Sequence, residues 1–256
     1  MKITQIRNAT LHVEYAGSTF LVDPMLAEKG AYPGFPGTVN SHLSNPLVGL
    51  PMRLSEITDV DAMIVTHTHP DHWDDAAKSL LPKDLPVFVQ NESDRQLIRS
   101  SGFTDVSVLT DDTTFNGVKL IKTPGQHGSD EAYKVFGEIM GEVCGVVFDS
   151  PDEKRLYLAG DTVWNQFVID NLKKYKPDVI VLNCGDARAD GMGSILMGKH
   201  DVLQVCKSTP SATVIASHME AVNHCVLSRT ELREFLDAQG HSQQVLIPGD
   251  GEACQL

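Results

Sequence analysis

Basic runs are missing from this chain. Its 21 lysines and arginines stand against 34 aspartates and glutamates, a formal net charge of −13, so nucleic acid is excluded as an expected partner. The densest basic cluster, Lys173, Lys174 and Lys176, has the placement of the last turn of a surface helix, where cations suit the negative end of the helix dipole. No stretch approaches the roughly 18 apolar residues of a membrane span, and Met1 to Arg7 carries no apolar signal core. No membrane association is expected, and the cytoplasm is the default location. Cysteine occurs five times, at 144, 184, 206, 225 and 254, but never as Cys-x-x-Cys. That pattern offers neither a thiolate zinc knuckle nor a disulfide framework. Repeats, low-complexity tracts and linkers are absent too, so one domain over residues 1–256 is the simplest organisation.

What is present is a series of short apolar runs rich in valine and isoleucine. Thr10–Tyr15 and Thr19–Val22 read as two strands around Gly17-Ser18, stopped by Asp23-Pro24. Further strand-length runs lie at 62–65, 87–89, 118–121, 143–148, 156–159, 179–182 and 213–216. Between them, Asp94–Ser100 follows a possible cap at Ser93, Val163–Lys174 has helical apolar spacing, and Thr230–Ala238 runs to Gly240. Strands alternating with helices give an α/β fold. Residues 27–52 are broken by Gly and Pro, yet Tyr32, Phe35, Leu43, Leu47 and Leu50 supply apolar anchors. An ordered flap is expected there.

The chemistry concentrates in Thr66-His67-Thr68-His69-Pro70-Asp71-His72-Trp73, directly after the run 62–65. Unpaired imidazoles and a carboxylate cost several kcal/mol to bury; as ligands of zinc or a neighbouring first-row metal they make sense. In an extended segment His67 and His69 project to one side, and the turn at Pro70 re-aims Asp71 and His72. Three later residues have the same setting at strand ends: His127 in Pro124-Gly125-Gln126-His127-Gly128, Asp161 in Leu158-Ala159-Gly160-Asp161-Thr162, and His218 in Ile215-Ala216-Ser217-His218. Asp161 also has the position of a helix N-cap. His224 competes with His218 for the last role, but only His218 follows the strand directly.

The string and its three later companions, in this order, resemble the metallo-β-lactamase-fold hydrolases. The resemblance implies a four-layer αββα sandwich, two mixed β-sheets packed face to face with helices outside. It implies two divalent metal ions, zinc foremost with manganese or iron as alternatives. One ion would be held by His67, His69 and His127, the other by Asp71, His72 and His218, with Asp161 between them. A hydroxide shared by the two ions would attack a small ester, lactone or phosphoester, with Asp71 and Asp161 as the catalytic carboxylates. The phrases at 159–164, 218–224 and 248–252 are similar to the ascorbate-6-phosphate lactonases and their relatives, which favours a lactone. The same fold hosts diiron and mononuclear-iron redox enzymes and non-catalytic ligand-binding members. The diiron pattern, however, has an acidic residue where His69 stands, and all seven ligand positions are filled here.

Substrate contacts are expected from the variable parts: the flap, Trp73, Tyr133, Arg188 and His224. Arg188 is the obvious cation in the segment 183–200 for a phosphate or carboxylate. His12, His42, His200 and His241 are read as ordinary histidines without a ligand role, His42 and His200 being the two in loops near the cleft. The expected partner is a small molecule, and no heptad or exposed apolar face announces an oligomer.

Overall fold

The computed structural model describes residues 1–256. Its first sheet opens with an antiparallel meander, β1 (Lys2–Arg7), β2 (Thr10–Tyr15) and β3 (Ser18–Val22). It continues in parallel through β4 (Ala62–Val65), β5 (Val87–Val89) and β6 (Val106–Val108). Helices α1 (Leu54–Ile57), α2 (Asp75–Leu80) and α3 (Glu92–Ser100) connect these strands. The second sheet repeats the plan. Strands β7 (Thr114–Phe115), β8 (Val118–Pro124), β9 (Cys144–Asp149) and β10 (Leu156–Leu158) are antiparallel neighbours. Strand β11 (Val179–Asn183) then adds in parallel. After a small hairpin of β12 (Arg188–Ala189) and β13 (Gly193–Ser194), β14 (Thr213–Ser217) and β15 (Val245–Leu246) extend the parallel half. Helices α4 (Asp130–Met140), α5 (Gln166–Tyr175), α6 (Lys199–Ser208) and α7 (Arg229–Gln239) belong to this half, and β16 (Ala253–Gln255) returns to pair with β1.

The four layers follow from side-chain alternation. In β4, Ala62 and Ile64 enter the core between the sheets, while Met63 and Val65 pack outward with Ile57, Ala77 and Ile98 of α1–α3. In β9, Val146 and Phe148 point inward and Val147 outward, towards Val168 and Leu172 of α5, Val202 of α6 and Leu232 of α7. A strand buried on both faces must be apolar throughout, which is why these strands read as unbroken runs. Each such residue contributes about 1.5–3 kcal/mol by burial. No helix is long and apolar enough to cross a membrane.

Several boundaries differ from the sequence reading. The amino-terminal segment holds three strands, because β1 is buried at five of its six positions and lacks the alternation of an exposed strand. Helix α3 is capped by Asn91, whose side chain accepts from Asp94 N, not by Ser93. Helix α5 starts at Gln166 with Asn165 as its cap, which removes the capping role considered for Asp161. The basic cluster does close α5, with Lys176 in the left-handed conformation at its end.

Residues 27–52 hold a fixed course without forming a helix or strand. Tyr32 and Asn45 exchange backbone hydrogen bonds (2.8 and 2.7 Å), and Gly30 N donates to Pro46 O at 2.8 Å. Gly34 is required at the turn: a Cβ there would meet the carbonyl oxygens of Ser41 and Leu43 at 2.5 Å. The buried Asn223 takes the place of a core for this loop. Its side chain accepts from Asn45 Nδ2 (2.7 Å) and Phe35 N (3.1 Å) and donates to Thr38 Oγ1 and Val39 O (2.8 Å each).

Candidate metal centre

All seven ligand candidates come from carboxyl ends of strands, where loops leave the sheets along one edge of the sandwich. His67, His69, Asp71 and His72 follow β4, His127 follows β8, Asp161 follows β10 and His218 follows β14. Strands β8, β10 and β14 run in one direction, which brings three residues distant in sequence to the same side. Two of the bends are tight. Gly160, at φ +68°, passes so close to β9 that a Cβ would meet Cys144 O at 2.2 Å. His218 itself takes the left-handed conformation at φ +57°, an uncommon state for a residue with a side chain.

The nitrogens and oxygens converge. His67, His69 and His127 form one group whose ligand atoms lie within 4.8 Å of each other; His67, His72 and Asp161 form a second, and Asp71, His72 and His218 a third. His67 Nε2 faces His69 Nδ1 at 3.0 Å, and His72 Nε2 faces His218 Nε2 at 3.2 Å. Nitrogen ligands of a tetrahedral zinc, with bonds of about 2.0–2.1 Å, stand about 3.3 Å apart. Asp161 Oδ2 is central, 3.0 Å from His72, 3.7 Å from His67 and from His127, and 3.8 Å from His218. His127 Nε2 is buried without any hydrogen-bond partner, an expensive arrangement unless a cation completes it. On these grounds the donor set fits divalent metal.

Outer partners fix the remaining ring atoms, as metal-binding histidines require. Asp23, at the end of β3, is the hub: it accepts from Thr66 N and Thr66 Oγ1 (2.7 Å each) and lies 2.9 Å from His72 Nδ1. His127 Nδ1 lies 3.1 Å from Ile195 O, and His218 Nδ1 3.4 Å from Cys225 Sγ. Asn183, the last residue of β11, donates to Asp161 Oδ1 at 2.7 Å and leaves Oδ2 to the centre. Asn8 in the β1–β2 turn donates to Asp71 O (2.9 Å), while its own carbonyl accepts from His218 N (3.0 Å). Asp23 reads in the sequence only as a strand stop, and Asn8, Asn183 and Cys225 carry no signal at all; their roles arise from the meeting of both sheets.

Electrostatics separates the two ends of the site. Burial, reinforced by His72 and His69, holds His67 neutral, well below its ordinary range, and burial pushes His127 down to about 4. Burial also opposes charge on His72, but Asp161, Asp23 and Asp71 outweigh it and push the pKa up to about 10. For His218 burial is likewise outweighed, by Asp161, Cys225 and Asp71. In the metal-free protein the surrounding carboxylates therefore favour the protonated form of this pair, whose Nε2 atoms face each other at 3.2 Å, and metal loading must displace that charge. In calorimetric titrations with zinc at pH 7, the apparent enthalpy should vary with the ionisation enthalpy of the buffer. Affinity at the Asp71–His72–His218 end should climb with pH towards 10, because His72 must first lose its proton, a cost that the neutral His67 and His127 do not add at the other end. Equal pH dependence at both ends would contradict this division.

The expected substrate residues fare differently. His224 reaches the site: it is 6% exposed, lies edge-on to Phe35 (5.1 Å between ring centroids), and its Nδ1 is buried without a partner. Burial lowers its pKa, with Asp71 and His218 among the charges that act on it. Trp73 is 1% exposed and packs on Phe103 in the outer core, so it is a wall element rather than a free contact. Arg188 is not a free cation, since Asp186 Oδ2 accepts from its Nε (3.2 Å) and Nη2 (2.7 Å). Tyr133 lies on α4 with its hydroxyl directed at Gly141 O, 3.5 Å away. His42 is exposed in the flap, and His200 packs on Phe235 of α7, away from the centre. The phrases at 218–224 and 248–252 meet at Arg229, which pairs with both Glu220 and Asp250.

Comparisons with known proteins agree with this architecture. Residues 18–219 match the beta-lactamase superfamily domain. The chain is 52% identical to the UPF0173 protein YddR of Bacillus subtilis over 99% of both chains. An isothiocyanate hydrolase from Delia radicum gut bacteria superposes with a TM-score of 0.97 at 50% identity, covering 100% of this chain and 99% of that one. A possible metal-dependent hydrolase from Veillonella parvula gives a TM-score of 0.98 at 43% identity, with the same coverage. With its candidate ligands at one edge of a two-sheet sandwich and relatives that match it from end to end, the chain belongs to the beta-lactamase superfamily and, within it, to the UPF0173 family of metal-dependent hydrolases.

Proposed function

We propose that this hydrolase holds two divalent ions, zinc foremost with manganese or iron as alternatives, and hydrolyses isothiocyanates or similarly small, uncharged electrophiles. The observation that carries the substrate reading is the 50% identity to an isothiocyanate hydrolase, sustained across the whole chain. The geometry is in keeping with it: Arg188, the cation a phosphoester would need, is engaged by Asp186. His67, His69 and His127 would hold one ion and Asp71, His72 and His218 the other, with Asp161 between them.

Bound divalent ions would supply Lewis acidity and a water acidified towards neutrality. The chain's own groups do the rest. Asn183 orients Asp161, and Asp23 orients His72. Asp71, whose Oδ2 lies 3.3 Å from His218 Nε2, is placed to take a proton from water and return it to the departing nitrogen. The water oxygen bonds to the central carbon of R–N=C=S, giving a thiocarbamate. Protonation at nitrogen then breaks the C–N bond, releasing R–NH₂ and carbonyl sulfide, with both water protons ending on nitrogen. A lactone makes the same first demand, attack of water at an electrophilic carbon, and ends in ring opening.

The test is turnover of metal-loaded protein with allyl and 2-phenylethyl isothiocyanate, a γ-lactone and a phosphodiester, in thiol-free buffer. Amine and carbonyl sulfide should appear in equal amounts, with the phosphodiester untouched. Ring opening of the lactone without any loss of isothiocyanate would overturn the substrate assignment.

A further inference from the structure

We propose that the cavity between the flap and the ligand string is the subsite for the substrate's organic substituent, and that it accepts a flat aryl or short alkyl group. This rests on the reading of the site as one for a small uncharged electrophile, and adds where its tail goes and which residue sets its size. The cavity measures about 300 Å³ and is walled by Tyr32, Phe35 and Pro36 of the flap, Thr68 and Pro70 of the string, and Trp73 as its floor. Thr68 lies between the candidate ligands His67 and His69, and Pro70 precedes Asp71, so the cavity is walled by residues interleaved with the string, while no candidate ligand itself lines it. Phe35 joins the two, since its ring also meets His224 at 5.1 Å.

The carboxylates and hydroxyls around this cavity are already satisfied by the protein, and Trp73 Nε1, which has no partner, is buried away from solvent. Asp74 accepts from Ala27 N (2.8 Å) and Ala77 N (2.7 Å), Asp75 pairs with Lys78 at 2.7 Å, and Tyr32 Oη accepts from Ala76 N. What remains on offer is apolar surface, which rewards burial of a hydrocarbon group and leaves a sugar or phosphate unmatched. A neighbouring cavity, which shares Thr68 with this one, is different in kind. This second cavity, of about 530 Å³ beside His67 and His69, is lined by Gln90, Asn91, Ser93, Asp94 and Glu142, with no apolar side chain. The hydrophilic cavity thus meets the candidate ligands His67 and His69 directly, and the apolar one adjoins it at Thr68, an arrangement that suits a substrate with its tail under the flap and its reacting end at the polar side.

The subsite is tested with Phe35→Ala, which opens the wall, and Phe35→Trp, which fills the space. Two measurements are made: the ratio of kcat/KM for 2-phenylethyl over methyl isothiocyanate on metal-loaded protein, and binding of 2-phenylethanol to the metal-free protein by ligand-observed NMR. In both variants the ratio should fall about tenfold, the effect of about 1.4 kcal/mol of apolar contact, and 2-phenylethanol binding should weaken by a similar factor. A ratio and a binding constant both unmoved in the two variants would sink the proposal. If no isothiocyanate is turned over but 2-phenylethanol still binds and is lost in the variants, the subsite stands and the isothiocyanate reading falls. If one variant fails to fold, as judged by its thermal transition, the other still decides.

Discussion

An Asp161→Ala protein is expected to fold, to retain at most one of the two metal equivalents after dialysis, and to lose about a hundred- to a thousandfold in kcat/KM. That loss corresponds to about 3–4 kcal/mol of transition-state stabilisation. The reason is position. Asp161 Oδ2 lies within 3.8 Å of the inward nitrogens of His67, His72, His127 and His218, so one carboxylate serves both ends of the site. Asp161→Asn keeps the volume but removes the charge. It separates the loss of the hydrogen bond to Asn183 from the loss of the anion, and should behave like Asp161→Ala in metal content. Elemental analysis of dialysed protein together with turnover reads both quantities. Two retained metals and intact hydrolysis in the alanine variant would remove Asp161 from the centre.

Removal of the metals by a chelator should abolish hydrolysis and lower the thermal midpoint by about 8–16 °C. A ligand present at a thousandfold over its dissociation constant stabilises by about 4 kcal/mol, and in a chain of this size each kcal/mol moves the midpoint by about 2–4 °C. The destabilised element is visible. Without a cation, His127 Nε2 is buried with no partner, and protons on His72 and His218 must satisfy Asp161 and Asp71 instead. Zinc or manganese added back should restore both quantities, and the ion that restores turnover best identifies the working metal. An unchanged midpoint with full activity after exhaustive chelation would contradict the metal assignment. Restored midpoint with peroxide- or oxygen-dependent turnover would instead favour redox chemistry on this fold.

The parts of this molecule legible from sequence are those where a local pattern has a local cause. The run Ala62–Val65 predicts a buried strand because both faces need apolar side chains, and the histidine string after it is conspicuous because imidazoles so dense have no packing purpose. His127, Asp161 and His218 stand out only through the resemblance to the metallo-β-lactamase-fold pattern. What stayed hidden depends on contacts between distant segments. Asp23 looks like punctuation before Pro24, yet it orients His72 from 49 positions away. Arg188 looks like an anion receptor until Asp186, two residues earlier, is seen to hold it. Trp73 looks exposed beside a loop, but Phe103 and the outer core claim its ring. Asn223 gives no hint that it organises a flap almost 180 residues before it, at Asn45 (178 residues).

The paired hydrogen bonds between Tyr32 and Asn45 make residues 33–44 a closed loop on a fixed base. Inside that base Gly34 and the contacts of Asn223 with Phe35, Thr38 and Val39 hold the course, while positions outside these contacts can change at little energetic cost, since doubling a loop adds only about 0.6 kcal/mol of closure entropy. No metal-binding side chain lies inside it, whereas Phe35 and Pro36 do. On the proposed reading, substrate preference resides in a segment separate from every candidate ligand position, so it can be altered by substitution without touching them.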